Sequence, residues 1–193
     1  RIEQVIASAI LDNEVVALRF AATQERAADQ KLQALRESAQ WILAQAKLEN
    51  RTGQQEAIRS FKAASKEAYE ELTQAQFDEL REFMALTSEA TVSVINGAVS
   101  VDLFKRVNRL STQVEAMIID GSPASDWWSR QAESTQRAFS REIRNGFVSG
   151  ETTDEIARRI IGRRDQPGIL DVSLRQAKSL AHSSVMTAAN LSV

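Results

Sequence analysis

Four arginines crowd one short stretch of this sequence: Arg158, Arg159, Arg163 and Arg164 surround Gly162. Arg175, Lys178 and His182 follow at spacings of three and four residues, which places them on one face of a helix. Guanidinium groups gathered this way can grip phosphate or carboxylate through paired hydrogen bonds. Three readings fit. The cluster is a contact surface for phosphate or DNA, a contact to an acidic protein partner, or simple compensation of a helix C-terminal dipole on a solvated surface. Only Asp165 and Asp171 dilute it, and no aromatic platform is interleaved.

Other reactive residue types are sparse. His182 sits beside Ser183 and Ser184, but adjacent helical residues do not face each other, and no G-x-S-x-G elbow surrounds them. The pairs Glu70-Glu71 and Asp78-Glu79 read as a solvated helix face rather than an acid–base or Ca²⁺ site. Neither G-x-x-x-x-G-K nor G-x-G-x-x-G occurs, nor does H-E-x-x-H. With no nucleophile, base and orienter to assemble, the expectation is a chain that is not an enzyme and takes no cofactor, metal or small-molecule substrate. Trp127-Trp128 is the aromatic outlier, two side chains on opposite sides of one helix. One is expected to anchor a core. The other, Trp127, is a candidate interface anchor or a second packed Trp. Trp41, flanked by Ala39 and Ile42, is expected to pack.

The elements that must carry these residues follow from composition. The 193 residues hold 24 Lys+Arg, 26 Asp+Glu, one His and no Cys, and 43% are apolar. That supports a folded core and excludes a disulfide framework or thiolate metal site. A net charge of −2 means that the chain as a whole is no electrostatic nucleic-acid binder. The charge is uneven, however, being −5 over residues 1–126 (14 basic, 19 acidic) and +3 over 127–193 (10 basic, 7 acidic). No membrane span is expected, and a start at Arg1 without Met suggests that the natural start lies upstream.

Only Gly53 among the seven glycines, and neither of the two prolines, falls in the first 96 residues. Such sparse punctuation predicts very long helices and an elongated all-α fold. Residues 2–50 read as one helix with a 4-3 seam: Ile2, Ile6, Ala9, Asn13, Val16, Phe20 and Thr23, then, after a phase shift, Ala28, Leu32, Leu35, Ala39, Ile42 and Ala46. Gly53 is read as the break. A second helix over 54–90 carries Ile58, Phe61, Ala68, Leu72, Ala75 and Phe83, Asn96-Gly97 marks a turn, and a third helix covers 98–118. Residues 1–118 thus form a long-helix hairpin or bundle, and residues 119–193 a smaller helical module built on Trp128, Ala132, Phe139, Ile143 and Phe147. In the module, Gly146 and Gly150 bracket a helix end, Thr152 to Glu155 fits a capping box, and 162–171 is a loop. Ser173 with Gln176 reads as a second capping box, opening a helix that buries Leu174, Ala177, Ala181, Val185, Ala188 and Leu191.

Three runs resemble one known family. They are Ile119–Pro123 with Asp126-Trp127-Trp128, then Arg144-Asn145-Gly146-Phe147-Val148-Ser149-Gly150-Glu151-Thr152-Thr153-Asp154-Glu155-Ile156-Ala157-Arg158-Arg159-Ile160-Ile161-Gly162, and finally Gln176–Asn190. Together, over about 119–190, they look like tailed-phage minor head proteins of the Mu F-like head-morphogenesis family. That family usually has an Arg-Thr pair where His182-Ser183 stands here. The resemblance implies a low-copy virion component at the capsid interior or portal vertex, made in the host cytoplasm during assembly. Its implied partners are the portal protein and other capsid proteins, with roles in head assembly and in genome packaging or ejection and with viral DNA as a further contact. Family members commonly continue past the matching stretch. Two other classes stay open. One is a helical scaffold or ejected internal protein without portal contact, self-associating as a homo-oligomer through the N-terminal helix. The other is a DNA-binding regulator using the 158–182 basic surface.

Overall fold

The computed structural model describes residues 2–99, 118–119, 122–163 and 165–191. Five helices make up nearly all of it: α1 (Ile2–Gln45), α2 (Arg51–Val99), α3 (Ala124–Val148), α4 (Thr153–Ile161) and α5 (Ile169–Leu191). Two antiparallel two-residue ladders join Ile118–Ile119 to Ser122–Pro123 and Gly162–Arg163 to Gln166–Pro167. The fold is all-α with long N-terminal helices. The expected third helix over 98–118 lies largely outside the described residues.

The chain divides into two compact units, neither contiguous in sequence. One comprises residues 27–72 with 128–178, and the other 1–26, 73–127 and 179–193. Their edges fall within helices, whereas the sequence reading places a boundary at 118/119.

In the unit of 27–72 and 128–178, a five-residue connection returns α2 alongside α1. Asn50 caps α2, its Oδ1 accepting from the Gly53 N–H at 2.8 Å. Gly53 is therefore not the break but part of the first turn of α2, where any Cβ would overlap the Lys47 carbonyl. Ala28, Leu32, Leu35, Ala39 and Ile42 are buried, as their spacing predicts. Phe61 of α2 stacks on Phe139 of α3, with ring centroids 3.8 Å apart. Trp128 and Ile143 complete that face of α3, both fully buried. Phe147 does not join them: it is 46% exposed, and the buried position is Gly146. Four residues on from Phe139 comes Ile143, and three more reach 146, so the helical period passes over 147.

Tyr69 of α2, Thr135 of α3 and Ser173 of α5 form a buried line of hydroxyls, at 3.1 and 3.0 Å. Ser173 Oγ donates to the Ile169 carbonyl at 3.1 Å. Each hydroxyl has a single proton, so Thr135 must donate to Ser173 and Tyr69 to Thr135. Ser173 is thus a buried interior residue of α5 rather than its cap. The helix opens earlier, at Ile169, where Asp171 Oδ2 accepts from the Gly168 N–H at 3.0 Å.

In the unit of 1–26, 73–127 and 179–193, α2 supplies large buried side chains, Phe77, Leu80, Phe83 and Met84. α1 supplies small ones, Ala17 and Ala21, and α5 a mixture of Leu180, Ala181, Val185 and Ala188. The predicted seam is one residue out of phase here. Val16 is 45% exposed and Thr23 is exposed, while Ala17, Ala21 and Gln24 are buried. Bulk misleads, because a close helix–helix approach selects alanine. Phe20 lies at the edge, its ring 5.0 Å from that of Phe83. On α2, Ala75 is exposed and Ile58 and Ala68 only half-buried; the buried set runs Ala57, Phe61, Ser65, Tyr69, Leu72, Gln76 and Leu80. Asn96-Gly97 forms no turn, since α2 continues to Val99. One interior glycine costs a helix only about 1 kcal/mol.

Burial holds the Tyr69 hydroxyl above its ordinary pKa of 10.0, against smaller opposing effects of Thr135 and Ser173. The folded chain therefore keeps a proton that the unfolded chain releases. This contribution to stability is complete below pH 10 and is lost as pH rises through the folded value. Tyr69→Phe is expected to cost about 1 kcal/mol at pH 7. In urea unfolding repeated at increasing pH, the deficit relative to the parent should shrink above pH 10.

Candidate functional site

The stretch 146–171 positions the predicted basic cluster, and its geometry follows from local rules. α3 ends in a Schellman motif: the Glu151 N–H donates to the Gly146 carbonyl at 2.9 Å, and the Gly150 N–H to the Phe147 carbonyl at 3.1 Å. Gly150 takes φ +70°, the left-handed conformation this motif needs. Thr152 then caps α4. Its Oγ1 accepts from the Glu155 N–H, and Glu155 Oε2 accepts from the Thr152 N–H at 2.8 Å, the predicted capping box. These backbone and hydroxyl bonds, with Arg158 adding a smaller pull, lower the pKa of Glu155. Gly146 admits Ile156 so closely that any Cβ there would overlap Ile156 Cγ1. Gly162, at φ +91°, ends α4 and opens the short hairpin, with Gly168 packed against it.

On this frame the predicted arginines part company. Arg159 turns back toward α3. Its Nη1 reaches Glu151 Oε1 at 2.7 Å, its Nη2 donates to the Glu142 carbonyl at 3.0 Å, and its Nε lies 3.0 Å from Glu142 Oε2. It is a clamp between helices. Arg158, Arg163 and Arg175 are exposed, with no ion-pair partner among the described residues. Arg164 lies outside the described residues. Lys178 pairs with Asp29 of α1 at 2.7 Å, within the unit that holds them both. His182 Nδ1 lies 3.2 Å from Glu25 Oε1, in the other unit. His182 thus faces a carboxylate and no serine, for Ser184 is buried and donates to the Leu180 carbonyl at 2.8 Å.

The tryptophans also separate. Trp128 is buried, its ring 6.1 Å from Tyr69, whereas Trp127 is half-buried. Trp41 corrects the expectation of packing, being 67% exposed. Two residues on from Ala39 turn the helix about 200°, away from the buried face. Of the carboxylate pairs, Glu70, Glu71 and Asp78 are exposed. Glu79 is half-buried, and burial, then repulsion from Glu82, raises its pKa. Among the described residues no group of His, Cys, Asp or Glu could hold a metal, and no helix is long and apolar enough to cross a membrane.

The sequence reading missed the acids that neutralise the basic face. Asp29 and Glu25 lie about 150 positions away from their partners, so no local spacing announces them. It also passed over Arg137, Arg141 and Arg144 on α3, whose 4-3 spacing was visible. Arg159→Met is expected to destabilise the chain by about 1 kcal/mol, since it leaves the carboxylate of Glu142, which is 13% exposed, with the exposed Arg141 alone as partner. Arg158→Met should change it by less than about 0.5 kcal/mol. Equal urea midpoints for the two variants would sink the clamp. Compared with known proteins, this chain finds no match to any family model, curated protein or solved structure.

Proposed function

We propose that this chain is a structural virion protein: a tailed-phage minor head protein associated with the portal vertex, acting in head assembly and in genome packaging or ejection. The observation that carries the reading is the run Arg144–Gly162, which resembles that family and is anchored on three glycines. Each glycine meets a geometric demand. Gly146 leaves room for Ile156, while Gly150 and Gly162 take left-handed backbone. Glycines at such positions carry more weight in a resemblance than the surrounding helix formers, whose types recur in any helix.

In this reading the partners are the portal protein and other capsid proteins, with viral DNA as a further contact and a second copy of α1 as a route to self-association. Arg158, Arg163 and Arg175 offer a basic surface to the protein partners, and Trp127 the apolar anchor. Trp41 adds an exposed aromatic on α1 that a partner would cover. No catalytic step is part of the proposal. The protein would reside in the virion, at the capsid interior or portal vertex, after assembly in the host cytoplasm.

The test is mass spectrometry of nuclease-treated virions and of empty heads from the phage that encodes the chain. Low-copy presence beside the portal protein is the expected result, and loss from empty heads would assign an ejection role. Absence from both particles would overturn the reading.

A further inference from the structure

Among the described residues a second concentration of positive charge lies away from the predicted cluster. An open groove of about 620 Å³ runs between α2 and α3. Lys62 forms one wall, and Arg137, Arg141 and Arg144 the other, with Gln136, Ser140 and Asn145 beside them and one carboxylate, Glu133, in the lining. All four cations are exposed. Arg59 and Lys66, one turn to either side of Lys62, extend the α2 wall and are exposed as well.

The acids nearby do not cancel this charge. Glu133 pairs with Arg137 at 3.1 Å, but the two side chains are 66% and 74% exposed, a solvated pair of little strength. Glu142 lies 3.3 Å from Arg141, yet its other oxygen faces Arg159 on the opposite side. Lys66 lies 3.7 Å from the exposed Glu70. Lys62 and Arg144 have no ion-pair partner among the described residues.

From these observations we infer that the α2–α3 groove binds the phosphodiester backbone of duplex DNA without reading its sequence. The spacing favours an extended polyanion. Arg137 to Arg144 spans about 10.5 Å along the helix axis at 1.5 Å per residue. That is about three steps of a strand rising 3.4 Å per nucleotide. The lining favours nucleic acid over an acidic peptide. Protein interfaces depend on aliphatic or aromatic anchors seated in pockets, and no aliphatic or aromatic residue lines this groove, whose apolar area comes from the stems of charged and amide side chains. The absence of any aromatic platform in it favours duplex over single strand. Gln136 is held in place by donating to Ser65 at 2.7 Å, so the floor is preorganised. This inference stands on charge and geometry and does not rest on the virion reading.

The experiment is a fluorescence-anisotropy titration of the full chain with a labelled 20-base-pair duplex, at 50 and 200 mM NaCl. Four phosphate contacts predict a salt slope of about −3.6, a loss of roughly 100-fold across that range. The triple variant Arg137→Gln/Arg141→Gln/Arg144→Gln should bind at least 10-fold more weakly with a slope nearer −1. Lys62→Gln, on the opposite wall, should show a smaller loss and serves if the triple variant fails to fold by circular dichroism. Arg158→Gln/Arg163→Gln/Arg175→Gln should bind within 2-fold of the parent. No binding at 50 mM salt would overturn the inference. So would parent-like affinity in both groove variants, loss confined to the Arg158 set, or a poly-glutamate peptide that competes as well as unlabelled duplex at equal charge.

Discussion

The unit of 27–72 and 128–178 depends on one close approach, that of α4 to the end of α3 at Gly146. A side chain there would overlap Ile156 and hold the two helices apart. The approach carries Arg159 to Glu142 and Glu151, and buries Ile156 and Ile160. It also fixes where α4 ends, and so where the Gly162–Pro167 ladder turns the chain back into α5. The hydroxyl line from Tyr69 through Thr135 to Ser173 then ties α5 to α2 and α3. Apolar burial supplies the driving force of this unit, and these polar contacts select one arrangement among those that burial allows.

Legibility in the sequence followed the range of the interaction. The capping box at Thr152, the helix end at Gly150 and the buried series from Ala28 to Ile42 were readable, because each is set by residues a few positions apart. The phase of α1 before Ala28 was not. There the buried face is Ala17, Ala21 and Gln24, and the bulkier Val16 stands out more in sequence than in the core. Ser173 looked like a cap because serine favours caps, but its hydroxyl is engaged by Thr135, 38 residues away in sequence. Trp41 is the opposite case: its spacing of two from the buried Ala39 already sets it off the buried face, and only its apolar type argued for packing.

The basic cluster illustrates how charge is redistributed on folding. Seven positions read as one patch along the sequence. In the fold, Arg159 serves α3, Lys178 and His182 meet acids of α1, and Arg158, Arg163 and Arg175 stay exposed. Charge density along a sequence is therefore a poor guide to field strength at a surface, since acids from distant segments decide what remains. The α2–α3 groove is the converse case. Its cations are modestly spaced in sequence, yet two helices bring them to facing walls.

The connection from Ser149 to Thr152 has no slack. Its residues are the last bond of one helix, a left-handed glycine and the cap of the next, and each is specified by a hydrogen bond. One inserted residue would break these bonds and carry α4 off the close approach at Gly146 that Ile156 fills. Length variation among descendants of this gene would thus be purged from 149–152 even where side-chain identity drifts. The stretch would act as a fixed ruler between α3 and α4.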